Sequence, residues 1–82
     1  TMLDVKVYTG AYCGYCNAAK KLLQTAGIPF EEIGLDDKPE LRQKLSEENG
    51  NYRTIPMIFI NDKFIGGFTD LQALQKQGRL IG

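Results

Sequence analysis

Cys13-Gly14-Tyr15-Cys16 holds the only two cysteines of an 82-residue chain, and its position decides the fold. Ahead of it Leu3, Val5 and Val7 alternate with Asp4, Lys6 and Tyr8, the two-residue period of a strand. Behind it the period changes. From Asn17 onward Ala18, Ala19, Leu22, Leu23 and Ala26 fall on one helix face, with Asn17, Lys20, Lys21 and Gln24 opposite. The pair therefore sits at a strand-to-helix junction. Its spacing lets one turn bring the sulfurs together. The helix N-terminus supplies N–H groups and a positive dipole end that favour thiolate over thiol.

Beyond this first unit, Gly27 stops the helix and Pro29 prevents its return. Phe30 to Ile33 reads as a second strand. A second helix is expected from Pro39, capped by Asp36 or Asp37, burying Leu41 and Leu45 and ending by Gly50. Met57-Ile58-Phe59-Ile60 is a short apolar run suited to a strand covered on both faces. Asn61-Asp62 reads as a hairpin turn into Lys63 to Ile65. Thr69, with Gln72 three residues on, resembles a capping box opening a last helix through Leu71 and Leu74 to Gly78. The order βαβαββα implies an α/β domain over residues 1–82, with a small mixed sheet flanked by helices. Met2 reads as the natural start, with Thr1 an addition before it.

Composition narrows the function classes. Ten Lys and Arg balance ten Asp and Glu, which gives no reason to expect nucleic acid or an anionic membrane as partner. Seven of the acids lie between Glu31 and Glu48, interleaved with Lys38, Arg42 and Lys44, as on a solvated helix face. No apolar run approaches the ~18 residues of a membrane span, and no signal-peptide core is seen. A reducing cytoplasm is the expected setting, where a persistent structural disulfide is unusual. The chain has no His, which excludes a Cys–His nucleophile pair and mixed Cys/His zinc sites.

Three readings of the cysteine pair remain: a structural disulfide, a zinc site completed by a partner, and a redox or thiolate-ligand centre. Compartment and ligand count favour the last. Cys13 precedes the helix and meets its N–H groups, whereas Cys16 falls inside the first turn and is expected to be more buried. A thiol of pKa about 8.5 is only ~3% ionised at pH 7, while one near 5 is almost fully ionised. Cys13 is accordingly assigned as nucleophile and Cys16 as resolving thiol. Two further segments have both bland and functional readings. Thr54-Ile55-Pro56 either starts a strand where no N–H is needed or carries a cis Ile55–Pro56 bond beside the sulfurs. Gly66-Gly67-Phe68-Thr69-Asp70 is a strand end and helix cap, or an anion site of free N–H groups.

Taken in register, Tyr8-Thr9 leading into Cys13-Gly14-Tyr15-Cys16, then Thr54-Ile55-Pro56, then Gly66-Gly67-Phe68-Thr69-Asp70 resemble a glutaredoxin of the dithiol type, in the thioredoxin superfamily. The resemblance covers nearly the whole chain. It implies a thioredoxin fold with a four-stranded mixed sheet, the cis proline and the anion site. It also implies glutathione as co-substrate and a thiol–disulfide oxidoreductase acting on glutathionylated thiols and on small or protein disulfides. Family potentials of about −200 to −230 mV lie near the glutathione poise, so either direction is feasible.

Carried over residue by residue, the resemblance gives a glutathione groove. Tyr15 flanks the sulfur. Ile55, between Thr54 and Pro56, pairs its backbone with the cysteinyl part as an added strand does. Thr69 and Asp70, led in by Gly67 and Phe68, receive the γ-glutamyl carboxylate. Arg42 meets the glycyl carboxylate, with Gln43 as the fallback. The protein is expected to be a monomer.

Two departures stand out. Many members carry Lys three residues before the first cysteine, where this chain has Gly10. Weaker glutathione binding and a less depressed Cys13 pKa are expected, with Gly10→Lys lowering the Michaelis constant. Gly14 replaces the usual Pro. Some relatives with a small residue there hold a [2Fe–2S] cluster between two subunits, using the first cysteine (here Cys13) and a bound glutathione from each. That keeps an iron–sulfur carrier as the alternative function.

Overall fold

The computed structural model describes residues 4–78. Its elements are β1 (Val5–Thr9), α1 (Gly14–Thr25), β2 (Glu31–Gly34), α2 (Pro39–Glu48), β3 (Met57–Ile60), β4 (Lys63–Gly66) and α3 (Phe68–Lys76). Leu3, expected to open the first strand, lies outside the described residues. The sheet order is β2-β1-β3-β4. β1 runs parallel to β2, with Thr9 opposite Gly34, and antiparallel to β3, with Val5 opposite Ile60. The β3–β4 hairpin turns on Asn61 and Asp62, both left-handed at φ 52° and 65°, the pairing that suits a tight two-residue turn.

Each face of the sheet buries its own apolar cluster. On one, Val5, Val7 and Ile58 meet Ala19 and Leu23 of α1 and Leu71 of α3. On the other, Met57 meets Leu35 and Leu45, with Leu41, Tyr8 and Phe59 packed around them. β3 thus supplies both clusters with alternate residues, as its unbroken apolar run predicts. Burying a side chain such as Leu23 or Ile58 contributes about 1.5–3 kcal/mol.

Several boundaries differ from the sequence reading, for identifiable reasons. α1 begins at Gly14, not Asn17, because Cys13 caps it: the Cys16 N–H donates to Cys13 Sγ at 3.1 Å. β2 starts at Glu31, while Phe30 packs against the α1/α3 cluster. Neither expected aspartate caps α2. Its N-cap is Lys38, with Pro39 in the first turn, and the Asp36 carboxylate accepts the Ala11 N–H at 2.8 Å. Thr69 does not cap α3 either. Gly67 is the N-cap, and Asp70 reaches back to its N–H at 3.0 Å, forming one half of a capping box.

One polar cluster ties α1 to the sheet. Glu32 on β2 accepts the buried Thr9 hydroxyl and the Lys20 ammonium, each at 3.0 Å. The Lys20 bond first, then the Thr9 hydroxyl, hold the Glu32 carboxyl below the ordinary glutamate range. A depressed carboxyl stabilises the fold above its unfolded pKa of about 4.3 and loses that contribution as pH falls through the folded value. The Glu32 side chain is 43% exposed, so screening limits the effect. Urea denaturation should find Glu32→Gln less stable than the parent by under about 1 kcal/mol at pH 7. The gap should close below about pH 4.

Candidate active site

The loop from Gly10 to Cys13 carries the chain from β1 into α1. Tyr12, fully exposed, takes a left-handed φ of 56° there, and Asp36 anchors the loop through Ala11. Cys13 then adopts an extended backbone (φ −110°, ψ 105°) before the helix begins. Cys13 and Cys16 are joined as a disulfide, with Cα atoms 5.2 Å apart. The two sulfurs are not equivalent. Cys16 is only 1% exposed and belongs to the packed interior, whereas Cys13 is partly open and accepts a helix N–H. An incoming thiol therefore reaches Cys13. That N–H, together with the dipole of α1, also favours negative charge on Cys13 when the pair is reduced.

A groove of about 200 Å³ lies beside this turn. Thr54, Ile55 and Pro56 form one wall, and Gly67, Phe68 and Thr69 the other. Tyr15 closes it on the α1 side, its ring 6.1 Å from that of Phe68, and Tyr52 lines it too. The Ile55–Pro56 peptide is cis. The Ile55 carbonyl oxygen stands 3.8 Å from Cys13 Sγ. Ile55 precedes the β1–β3 ladder, which extends only to Met57. Its N–H and C=O therefore lie outside that ladder, on the wall of the groove.

At the opposite wall the first N–H groups of α3, on Phe68, Thr69 and Asp70, have no acceptor within the helix. Asp70 does not line the groove. Its carboxylate is turned onto the Gly67 N–H and crowds Gly66, where a β-carbon would strike it. Only its main-chain N–H is left to serve an anion.

Arg42 lies outside the groove, in a neighbouring depression of about 380 Å³ shared with Gln43, Asn51, Tyr52 and Arg53. Its Nη2 donates to the Arg53 carbonyl at 3.4 Å, directing it toward the loop that enters the groove. Gln43 instead donates to Glu47 on its own helix, at 3.1 Å.

The two expected departures acquire a geometry. A β-carbon on Gly10 would lie 2.7 Å from Ile55 Cδ1 and 3.1 Å from Asp36 Oδ1, both ends of side chains that can turn aside to admit it. Around Gly14 there is no atom within 4 Å of such a carbon. As for metals, no group of three or more His, Cys, Asp or Glu side chains among the described residues could hold an ion. With Cys16 buried, one thiolate of this chain, that of Cys13, is within reach of a cluster. The donor set fits a [2Fe–2S] group only if its other thiolates come from outside the chain.

A four-stranded mixed sheet with a CxxC turn capping the first helix, opposite a cis proline, defines a thioredoxin-fold redox protein. The Glutaredoxin family model matches residues 5–65. A glutaredoxin of Pseudomonas aeruginosa is 47% identical over 96% of this chain and 93% of its own length. Glutaredoxin 3 of Escherichia coli K12 is 39% identical, over 96% and 94%. Among solved structures, a buckwheat glutaredoxin–glutathione complex superposes with a TM-score of 0.88 at 32% identity, covering 95% of this chain and 73% of that one. The chain belongs to the glutaredoxin family and is a thiol–disulfide oxidoreductase.

Gly14 is the first helical residue, where Pro fits best, and the extended Cys13 before it has the backbone that Pro demands of its predecessor. Gly14→Pro should raise stability by about 0.5–1 kcal/mol through the unfolded chain, read as a higher urea midpoint at unchanged slope.

Proposed function

We propose that this protein is a glutathione-dependent oxidoreductase that reduces glutathionylated thiols and small or protein disulfides, as a cytoplasmic monomer. The observation that carries the reading is the groove beside Cys13. One wall offers strand-like pairing through Ile55 and the other offers helix N–H groups for a carboxylate. A γ-glutamyl tripeptide has the matching parts: a free α-carboxylate at one end, a cysteinyl unit in the middle and a glycyl carboxylate that Arg42 can approach.

In the reduced enzyme the Cys13 thiolate attacks the glutathionyl sulfur of a mixed disulfide. The Cys13–glutathione bond forms as the substrate's S–S bond breaks, and the substrate leaves as a thiolate that takes a proton from water. A second glutathione thiolate then attacks the glutathione sulfur held on Cys13. This releases glutathione disulfide and restores the Cys13 thiolate. In the dithiol branch Cys16 attacks Cys13 Sγ instead, expelling glutathione and giving the Cys13–Cys16 disulfide. Two glutathiones later reduce that bond, becoming one glutathione disulfide. Burial of Cys16 makes it a poor first nucleophile and a well-placed second one.

One competing use of the same thiol is a [2Fe–2S] cluster bridging two copies with glutathione as co-ligand, for which Gly14 leaves the backbone a freedom that Pro would remove. Spectra after anaerobic purification separate the two: a coloured dimer that bleaches on oxidation speaks for the cluster.

Glutathione-coupled reduction of a glutathionylated peptide should vanish in Cys13→Ser and persist at a substantial fraction in Cys16→Ser. Activity in Cys13→Ser would refute the assignment. Gly10→Lys should lower the Michaelis constant for glutathione about threefold or more, the gain of one partly solvated charged contact, with the terminal methyl of Ile55 turning aside to admit the new side chain. Steady-state titration of glutathione with the parent and the variant measures this, and an unchanged constant removes the explanation.

A further inference from the structure

Tyr52 is a groove residue that no sequence pattern singled out. Its half-buried ring stands edge-on to Phe64, centroids 5.0 Å apart at 74°, which fixes the ring plane. The hydroxyl comes to rest over Gly67. A β-carbon there would fall 2.5 Å from Tyr52 Oη and 3.8 Å from Cζ, so the missing side chain of Gly67 leaves the space the phenol oxygen occupies. No buried side-chain oxygen or nitrogen lacks a partner among the described residues, and no side-chain hydrogen bond there engages this hydroxyl. It is therefore accessible, on a residue that lines both the groove and the Arg42 depression.

We propose that Tyr52 determines specificity for the γ-glutamyl end of glutathione, its hydroxyl donating to the carboxylate received at the N-terminus of α3. The assignment rests on the glutathione reading of the groove. A carboxylate has about four lone-pair sites, more than helix N–H groups on one side can fill. Tyr52 approaches from the Gly67 side and supplies a donor there. A neutral donor suits the place. The Asp70 carboxylate lies 3.0 Å from the Gly67 nitrogen, and a Lys or Arg at position 52 would pair with it rather than with the guest.

Tyr52→Phe deletes one oxygen and keeps the ring against Phe64, so the fold and the Cys13 turn are preserved. The test is single-turnover reduction of two probes by the pre-reduced protein. One is the mixed disulfide of glutathione with cysteine; the other is that of cysteinylglycine with cysteine, which lacks the γ-glutamyl group. Tyr52→Phe should raise the half-saturating concentration of the glutathione probe about tenfold, the low end for a hydrogen bond to a charged group. The limiting rate should stay within about twofold, and the cysteinylglycine probe should be unaffected. An unchanged half-saturation for the glutathione probe overturns the proposal. So does an equal loss on both probes, which would mark a merely structural ring. If the parent protein fails to distinguish the probes, the glutathione reading falls first and this assignment with it.

Discussion

The site depends on one packing constraint: α1 must lie with its buried stripe against the sheet. Ala19 and Leu23 are sealed against Val5, Val7 and Ile58, and Cys16 continues that stripe into the first turn. Rotating the helix to expose Cys16 would pull Leu23 from the core at about 1.5–3 kcal/mol. The unequal exposure of two chemically identical thiols therefore follows from packing. Cys13, three residues earlier and ahead of the helix, has no such obligation and remains open.

Much of this was legible in the chain. Alternation in β1, the apolar run of β3 and the 3.6-residue stripe of α1 are local signals, and the elements follow them closely. What misled was local too. Thr69 with Gln72, and Gly67 with Asp70, are overlapping capping patterns offset by two residues, and only Asp70's bond to Gly67 decides between them. Asp36 had the composition of a cap, but its carboxylate found the Ala11 N–H, 25 positions back. Tyr52 left no trace, because the partners that orient it, Phe64 and Gly67, are distant in sequence and meet it only in the fold.

Under the proposed function, the groove explains how such a short chain could hold a guest. Its walls come from the segment entering β3 and from the start of α3, which the β3–β4 hairpin brings face to face. Both walls present backbone atoms more than side chains. Recognition of this kind tolerates sequence change as long as the hairpin register and the helix start hold. Side chains enter at the margins: Tyr15 beside the sulfur, Tyr52 over Gly67 and Arg42 across the neighbouring depression.

That Cys13 is at once a partner in the disulfide and the cap of α1 makes redox chemistry and helix stability thermodynamically linked. A thiolate accepts the Cys16 N–H more strongly than a disulfide sulfur does. Whatever free energy the helix end lends to the thiolate, the thiolate returns to the helix in equal measure. Each change of covalent state at one sulfur is thereby passed to an element that borders the core. The first turn of α1 registers the oxidation state of the protein as a difference in its own tendency to fray.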